Sequence, residues 1–275
     1  MNDANVQAEI YGARWKSLIK RLALGKVIFR LAAGFLSSGT ANNDLYRFYN
    51  VPNEKLIPFG YSMVHKLLLP ESKRLESQKS PIRAELGIPN DKFVILFCGR
   101  FIIQKGLYEL LDAFKAQSRP DKYLVFVGGG ELEADMKQYV IDNNIESVHF
   151  FGFQGRKDLP KYYAMSDVLV LPSWRETWGM VVNEALCFGL PVVVSDQVGA
   201  APDLVQNGHN GFIFPYKNVQ ALTQCIGQVM DFSEEQRSEA KLLSQKLITD
   251  WSNRDLVGPL VDYLGNLRVK AGKGA

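Results

Sequence analysis

The stretch Asp167-Val-Leu-Val-Leu-Pro-Ser-Trp-Arg-Glu-Thr-Trp-Gly-Met-Val-Val-Asn-Glu184 decides the fold, because it joins a strand to a helix. Its first part is apolar without alternation, which predicts a strand buried on both faces, as parallel sheets require. The pattern then predicts a helix that begins near Trp178, with the hydroxyl of Thr177 as its N-cap. The stretch therefore predicts one βα unit of a larger sheet.

The same alternation of strands and helices runs from residue 93 onward. This regularity predicts the α/β class, with a doubly wound parallel sheet in one complete Rossmann-like domain. The predicted strands are Phe93 to Cys98, Tyr123 to Val127, Val148 to Phe151, Asp167 to Leu171, Pro191 to Ser195 and Gly211 to Pro215. Besides the helix after Thr177, the predicted helices are Gly106 to Gln117, Leu132 to Asn143, Lys157 to Met165, Pro202 to Gln206, Val219 to Met230, Ser233 to Ile248 and Asn253 to Leu267.

The N-terminal part of the chain differs from this pattern. It holds two strand candidates, Gly34 to Ser38 and Lys55 to Pro58, with a helix between them at about Asn42 to Tyr49. That is too little for an independent sheet domain, so we interpret it as an incomplete α/β remnant. The resulting division is 1–69 as the remnant of an N-terminal, acceptor-side domain, 70–90 as a polar linker and connecting segment, 91–252 as the Rossmann-like domain, and 253–275 as a C-terminal helix and tail.

Composition excludes several classes of protein. The 275 residues are 47% hydrophobic and 22% charged, which is typical of a globular protein and not of a disordered chain or a membrane bundle. The net charge of +3 is too small to indicate a nucleic-acid partner. The three cysteines, Cys98, Cys187 and Cys225, lack metal-like spacing and are predicted to be buried thiols in a reducing, cytoplasmic compartment.

Two cations follow the first strand of the domain. Gly99-Arg100 ends this strand and Lys105-Gly106 opens the next helix. Both side chains therefore emerge at the carboxyl edge of the sheet, where open α/β folds bind ligands. There they could neutralise a diphosphate, although basic residues in such loops are commonly only solvated, and the pair alone leaves both interpretations open.

Backbone groups near this edge offer a second set of contacts. Gly128-Gly-Gly130 follows the second strand and permits close approach of a ligand, although a tight turn is the simpler interpretation. The run is not a GxGxxG fingerprint, which disfavours a nicotinamide enzyme. The helix after Thr177 offers N–H groups at Gly179, Met180 and Val181, an anion site reinforced by the helix dipole.

Two carboxylates accompany this helix. Glu176 lies in the loop at its start, and Glu184 lies roughly 9 Å beyond Trp178 along the axis at about 1.5 Å per residue. Ionised carboxylates accept hydrogen bonds well from vicinal sugar hydroxyls. For the two glutamates alone, a solvated helix face is the alternative. Trp174 and Trp178 either wall such a site or pack in the core.

Together these residues resemble the retaining glycosyltransferases of family 4, members of glycosyl transferases group 1 with the GT-B fold of two Rossmann-like domains. The stretch from Glu176 to Pro191 looks like the donor-binding signature of that family almost position for position. The resemblance covers residues 93 to about 268. Its motifs occur in the family's order as Gly99-Arg100, Lys105-Gly106, Gly128 to Gly130, Pro172-Ser173, Glu176 to Glu184, Gly189 to Pro191, Gly199 and Asn210-Gly211.

The resemblance implies a role for each matching residue. Arg100, Lys105 and Glu176 would be catalytic: the two cations hold the diphosphate of a nucleotide sugar and stabilise it as it leaves, and Glu176 contacts the transferred sugar. Glu184 would bind the ribose hydroxyls. No metal or other cofactor is expected, because the cations and the helix terminus stabilise the charge. The other donor-binding positions would be Gly99, Gly128, Gly129, Thr177, Gly179, Met180 and Val181.

Residues 1–65 are similar only to the end of the family's N-terminal domain. The similar stretches are Phe35 to Gly39, Tyr49 to Pro52 and Glu54 to Pro58. The opening strands, the Gly-rich loop and the histidine near the reacting sugar have no counterpart, so we expect a truncated N-terminal domain. No role in catalysis is assigned to His65, His149 or His209.

The basic, partly amphipathic segment Arg14 to Arg30 has two interpretations. In the family a basic helix of the N-terminal domain contacts anionic lipid, so the resemblance implies peripheral contact at the inner face of the membrane. The alternative is a helix that packs on the rest of an N-terminal domain.

The resemblance implies transfer of a hexosyl group from a UDP- or GDP-sugar to a glycan, lipid-linked or other hydroxyl acceptor, with retention of configuration. The alternative is a non-catalytic nucleotide-sugar-binding module, or the donor half of a split enzyme whose acceptor domain is a separate chain. A sugar phosphorylase or epimerase on the same fold is disfavoured, because the motif from Glu176 to Glu184 is more specific than the fold.

Overall fold

The computed structural model describes residues 29–60 and 65–272, which contain two parallel sheets. The larger sheet has six strands in the order β5-β4-β3-β6-β7-β8, and the smaller one pairs β1 with β2. The strands are β1 (Phe35–Ser37), β2 (Leu56–Pro58), β3 (Phe93–Cys98), β4 (Lys122–Val127), β5 (Val148–Phe150), β6 (Val168–Leu171), β7 (Val192–Ser195) and β8 (Gly211–Phe214).

The strands of the larger sheet lie where the sequence predicts them. β3 has the predicted bounds, and each of the others differs by one residue at one end. The side chains from Val94 to Phe97 are fully buried, because helices cover both faces of a doubly wound sheet. The prediction of an α/β fold with a parallel sheet is confirmed.

Helices connect and cover these strands. Those predicted beyond residue 106 are present, with ends displaced by a few residues, and a 3-10 turn at Ile103–Lys105 precedes the first of them. The helices are α1 (Phe29–Leu31), α2 (Thr40–Phe48), α3 (His65–Leu75), α4 (Lys79–Glu85), α5 (Leu107–Ala116), α6 (Glu133–Asp142), α7 (Leu159–Met165), α8 (Met180–Cys187), α9 (Ala201–Leu204), α10 (Val219–Met230), α11 (Glu234–Ser252) and α12 (Gly258–Gly272).

The strand order creates a crevice at the centre of the larger sheet. β3 lies between β4 and β6. From β3 the chain adds β4 and β5 on one side of the sheet, and it then returns to add β6, β7 and β8 on the other side. Open α/β sheets bind ligands at such a switch point, outside the carboxyl ends of the strands. Leu96 of β3 pairs with Leu169 of β6, so the loops after Cys98 and Leu171 emerge side by side. The fold thereby brings the predicted cations to the predicted carboxylate loop.

The helix after β6 begins later than predicted. α8 starts at Met180, and Gly179 is the N-cap residue with a φ of +94° and no side-chain cap. The expectation of a start near Trp178 with Thr177 as the N-cap is therefore wrong. The physical reason is the left-handed backbone at Gly179, which only glycine adopts readily and which interrupts a right-handed helix.

The segment 70–90, predicted to be a linker and connecting segment, is mostly helical. α3, a 3-10 turn at Glu76–Gln78 and α4 follow one another through residue 85. α3 packs against α7 and α8, and α4 packs against α7. Buried apolar side chains such as Leu75 and Ile82 make these contacts with the main core.

A buried arginine joins α4 to the sheet. The guanidinium of Arg83 donates to the carboxylate of Asp167 at 2.7 Å and to the carbonyl of Met165 at 2.8 Å. The Asp167 carboxylate also accepts from the backbone N–H of Val94 at 2.6 Å. Charge-assisted bonds of this kind hold the amino ends of β3 and β6 to the helical segment.

The N-terminal elements contact the larger domain at the start of α2. Thr40 donates its backbone N–H and its hydroxyl to the carboxylate of Asp203, at 2.9 and 2.7 Å. At the other end of the chain, α12 packs on β2, and the Tyr263 hydroxyl donates to the carbonyl of Ala33. These contacts help to hold residues 29–60 against the rest of the chain.

The expected membrane-contacting segment Arg14 to Arg30 lies almost wholly outside the described residues, and the Arg30 side chain is not among those described. Of the helices that the structure does describe, none combines the length and the apolar composition needed to cross a bilayer.

Candidate functional site

Hydrogen bonds between loops form the rim of the central crevice. After β6, the backbone N–H of Trp174 donates to the carbonyl of Gln104, in the turn that follows β3, at 2.8 Å. The indole of Trp174 also donates to Glu109 at 2.9 Å. Two residues further along, the N–H of Glu176 donates to the carbonyl of Gln197, after β7, at 3.2 Å. The loops after β3, β6 and β7 are thus held together.

Lys105 and Glu176 form an ion pair at this rim. The Lys105 ammonium donates to Glu176 Oε2, and each side chain is only 16% exposed. An ammonium has three donors, so Lys105 can hold Glu176 and still donate to a second anion. Arg100, on the same loop, is exposed, and within residues 29–60 and 65–272 no carboxylate forms an ion pair with it. The loop after β3 therefore presents one paired and one unpaired cation.

Two adjacent glycines after β4, Gly128 and Gly129, have different surroundings. A Cβ on Gly128, whose φ is +138°, would lie 1.8 Å from the carbonyl oxygen of Gly99. A Cβ on Gly129 would meet nothing nearer than Glu133 Oε2 at 3.5 Å, which is an ordinary contact. Gly128 is therefore required where two backbones touch, whereas the backbone at Gly129 is not crowded.

The loop that contains Thr177 is fixed by its neighbour after β7. Gly199 donates its N–H to the carbonyl of Glu176 at 3.1 Å. A Cβ on Gly199 would lie 2.0 Å from the carbonyl oxygen of Thr177, so the two backbones are in direct contact. This packing holds the entry to α8 rigid.

The first turn of α8 supplies the positive end of a helix. A Cβ on Gly179 would lie 3.1 Å from both Leu171 and Val198, so this residue is closely packed between β6 and the loop after β7. The N–H groups of Met180 and Val181 follow it and have no acceptor within the helix. Together with the helix dipole they form a site for negative charge beside the Lys105 loop.

Glu184 lies further along α8, beside a small cavity. The hydroxyl of Tyr163 donates to Glu184 Oε2 at 2.5 Å. The cavity has a volume of about 40 Å³. Its lining residues are Leu67, Leu68, Arg156, Leu159, Pro160, Tyr163 and Glu184.

The surroundings of Glu184 change its acidity. Burial raises the pKa of its carboxyl above the ordinary 4.5, and the Tyr163 hydrogen bond and the positive charge of Arg156 act in the opposite direction. Burial also raises the pKa of Tyr163 well above 10.0, so its hydroxyl stays protonated and is a hydrogen-bond donor at neutral pH. Glu184 is therefore a half-buried acceptor whose orientation a tyrosine fixes.

The two tryptophans have different surroundings. Trp178 is buried, donates to Asn183 Oδ1 at 2.8 Å and stacks on Trp251, so it belongs to the core. Trp174 lies at the rim, where the Lys217 ammonium is 4.0 Å from the ring centroid. The sequence left open whether each tryptophan packs in the core or walls the site. Trp178 packs in the core, and Trp174 lies at the crevice.

The thiols are free. Cys98 and Cys187 are buried and Cys225 is half-buried, and burial raises the pKa of both Cys98 and Cys187 to about 12. Among the residues that the structure describes, no group of three or more His, Cys, Asp or Glu side chains is placed to hold a metal ion.

The structure gathers Arg100, Lys105, Glu176 and the glycine loops at one edge of the sheet, and it places Glu184 on the helix that starts there. The sequence did not indicate Tyr163 or Arg156, which surround Glu184. Tyr163 lies in a helix whose residues are all at least partly buried, where a tyrosine is expected to be a core residue, and only the contact across to α8 distinguishes it.

Comparison with known proteins identifies a family and several relatives that this chain resembles. The family model described as glycosyl transferases group 1 matches residues 78–241. The spore coat protein SA of Bacillus subtilis is 32% identical over 174 residues, which are 59% of this chain and 46% of that protein. The sulfoquinovosyl transferase SQD2 of Arabidopsis thaliana is 33% identical over 203 residues, 72% of this chain and 34% of that protein. The chain thus spans less than half the length of these curated relatives.

A solved structure has the same fold. The crystal structure of Anabaena HepE in complex with UDP superposes with a TM-score of 0.76 at 22% sequence identity, over 97% of this chain and 71% of that chain. Further structures of HepE contain UDP and glucose, or UDP-glucose.

Proposed function

Because the chain belongs to the glycosyl transferases group 1 family, we propose that it binds a UDP- or GDP-sugar and transfers the hexosyl group to a hydroxyl of a glycan or lipid-linked acceptor. The observation that carries this proposal is the Lys105–Glu176 pair, which lies beside exposed Arg100 at the switch point of the sheet. A paired cation and carboxylate suit a ligand that combines a diphosphate with a sugar.

In this proposal, each part of the donor binds to a different group in or beside the crevice. The diphosphate binds Arg100, Lys105 and the N-terminal turn of α8, where cations and helix dipole stabilise negative charge. Glu176 accepts from hydroxyls of the hexose, and Glu184 accepts from those of the ribose. UDP and UDP-glucose bound to HepE support a donor of this class.

The proposed reaction retains the configuration of the sugar. The bond between the anomeric carbon and the phosphate oxygen breaks as the acceptor oxygen bonds to the same face of that carbon. The acceptor proton passes to an oxygen of the departing phosphate, and Arg100 and Lys105 stabilise the charge that develops there. In this scheme the two cations and α8 replace a metal ion as the source of charge stabilisation.

Cellular placement is also a proposal. A cytoplasmic location follows from the free thiols, and peripheral contact with the inner face of the membrane follows from the basic segment Arg14 to Arg30. Liposome flotation with and without anionic lipid tests the second of these.

Calorimetric titration with UDP, GDP, UDP-glucose and GDP-mannose tests the donor site. We expect saturable binding to one base class, and an affinity about tenfold to a hundredfold lower in Glu184→Ala, since a hydrogen bond to a charged group contributes about 1.5–3 kcal/mol and about 1.4 kcal/mol corresponds to a factor of ten. Absence of binding to all four compounds would overturn the proposal. Binding without measurable transfer to any acceptor would favour the alternative of a donor-binding module that acts with a separate acceptor-binding chain.

The affinity for UDP-glucose is expected to fall as the pH is lowered through the pKa of Glu184. The ionised carboxylate accepts from ribose hydroxyls, and protonation removes acceptor capacity. Because burial raises this pKa above 4.5, the decline starts at a higher pH than for an exposed glutamate. UDP-glucose is the suitable probe, since both of its phosphates are esterified and keep their charge in this range.

Glu184→Gln provides the control for this pH dependence. It is neutral throughout, so it should bind more weakly than the wild type at neutral pH and lack the decline. An equal decline in both proteins would assign the titration to another group. For folding the sign is reversed: because the pKa of Glu184 is raised in the folded state, its contribution to stability is fully present below 4.5 and is lost as the pH rises from 4.5 through the raised folded-state pKa.

A further inference from the structure

Tyr163 connects three elements that meet behind the donor crevice. It lies on α7, is 1% exposed, and stacks on Phe188 with ring centroids 5.5 Å apart. Its hydroxyl reaches Glu184 on α8, and the thiol of Cys98, at the end of β3, interacts with the same hydroxyl. The ring therefore has a fixed position from which its one hydroxyl proton points to Glu184.

The hydrogen-bond acceptor sites of the Glu184 carboxylate that Tyr163 does not occupy face the small cavity. An ionised carboxylate has about four acceptor sites on two oxygens. Tyr163 occupies one site on Oε2, and no other described side chain or backbone group donates a hydrogen bond to the carboxylate. Arg156 lines the cavity and attracts the carboxylate by its charge. Oε1 is thus left to accept from a ligand.

We infer that Tyr163 is a positioning residue for nucleotide binding: by donating to Oε2, it orients Glu184 so that Oε1 accepts from the ribose hydroxyls. This inference rests on the proposed donor site. Because the Tyr163 hydroxyl donates its one proton to Glu184, the effect of this hydroxyl on the ligand is assigned to Glu184. The expected consequence is a loss of discrimination between ribose and deoxyribose, and not a general loss of affinity.

Tyr163→Phe tests this role, because it removes one oxygen and keeps the buried ring. UDP and 2′,3′-dideoxy-UDP are titrated into both proteins, or the guanosine pair if the chain selects GDP. The wild type should prefer the ribonucleotide by about tenfold. In Tyr163→Phe the affinity for UDP should fall about fivefold to tenfold, while the affinity for the dideoxy compound should change less than twofold.

Tyr162→Phe is the matched control. Tyr162 is the neighbouring buried tyrosine, and no hydrogen bond of its hydroxyl to a described residue is present. It should keep the preference of the wild type. The double variant Tyr163→Phe/Glu184→Gln should lose no more affinity for UDP than Glu184→Gln alone, since the two residues act as one unit.

Several outcomes would overturn the inference. Equal losses for both nucleotides in Tyr163→Phe would assign Tyr163 to packing alone, and an unchanged affinity for UDP would show that its hydroxyl has no role. If Tyr163→Phe does not fold, Tyr163→Met, which also lacks a hydroxyl and is flexible enough to fill the buried space, is compared with the same two nucleotides and the same outcome is expected. Failure of the wild type to bind any nucleotide would instead overturn the donor site itself.

Discussion

Replacement of both Arg100 and Lys105 by alanine is expected to lower the affinity for UDP-glucose by about a thousandfold. Each cation contributes charge-assisted hydrogen bonds to the diphosphate, worth about 1.5–3 kcal/mol apiece. Their sum is roughly 3–6 kcal/mol, and about 1.4 kcal/mol corresponds to a factor of ten. Isothermal titration with the wild type and the double variant measures the difference.

Two other lysines provide the matched control. Lys137 and Lys246 lie on helix surfaces, each paired with a carboxylate one turn away. Their joint replacement by alanine changes the net charge equally, and we expect less than a twofold change in affinity. A similar loss in both double variants would mean that only the overall charge of the chain attracts the nucleotide.

Loss of Lys105 also affects Glu176, and this effect must be separated from binding. Glu176 is only 16% exposed, and Lys105→Ala leaves its carboxylate without its ion-pair partner, which destabilises the fold around the crevice. Glu176→Gln in the same protein removes that charge. The thermal midpoint should therefore recover in Lys105→Ala/Glu176→Gln, while the affinity for UDP-glucose should not.

The crevice could be predicted from sequence because strand register determines it. Buried strands such as Phe93–Cys98 are continuous apolar runs, and residues after parallel strands must emerge at one edge. The pairing of Leu96 with Leu169 then brings Lys105 to Glu176. Lys105 and Glu176 are far apart in sequence, and the topology of the sheet alone brings them together. Their proximity could therefore be predicted without knowledge of individual side-chain contacts.

The entry to α8 and the segment 70–90 could not be predicted in the same way. The helix start depends on a φ of +94° at Gly179, where a Cβ would lie 3.1 Å from Val198 in a different loop. In segment 70–90, polar residues and prolines suggested a linker, whereas Arg83 forms buried hydrogen bonds with Asp167. In both cases tertiary contacts outweigh local preference.

The contact between Tyr163 and Glu184 at the candidate site also could not be predicted from the sequence. A tyrosine in a helix whose residues are all at least partly buried is ordinarily a core residue, and nothing in its local sequence relates it to a glutamate on the next helix. The register of α7 against α8 creates the contact. Acceptors such as Glu184 can thus be predicted from a motif, while the residues that orient them require the structure.

Gly128→Ala is expected to destabilise the fold by roughly 3–5 kcal/mol. The new Cβ would lie 1.8 Å from the carbonyl oxygen of Gly99, and the φ of +138° is strained for any residue with a side chain. The backbone cannot easily move away, because the Gly128 N–H donates to the carbonyl of Gly152 at 2.9 Å and the Gly99 N–H donates to the carbonyl of Val127 at 2.9 Å. Urea denaturation followed by circular dichroism measures the change.

Gly129→Ala is the control one residue away. Its Cβ would have only an ordinary contact with Glu133, so the free energy of unfolding should change by less than about 1 kcal/mol. A loss comparable to that of Gly128→Ala would contradict the difference in packing between the two positions. Equal and small losses in both variants would contradict the close contact between Gly99 and Gly128.

The two variants also separate structural from ligand-binding glycines. If Gly129 borders the donor site, its alanine variant should stay folded and bind UDP-glucose less tightly, because the methyl group blocks close approach of the ligand. Gly128→Ala should instead lose stability first, and the loop that carries Arg100 would be displaced with it. Adjacent glycines of one motif would then serve different purposes: Gly128 lets two strand ends meet, and Gly129 leaves room for the ligand.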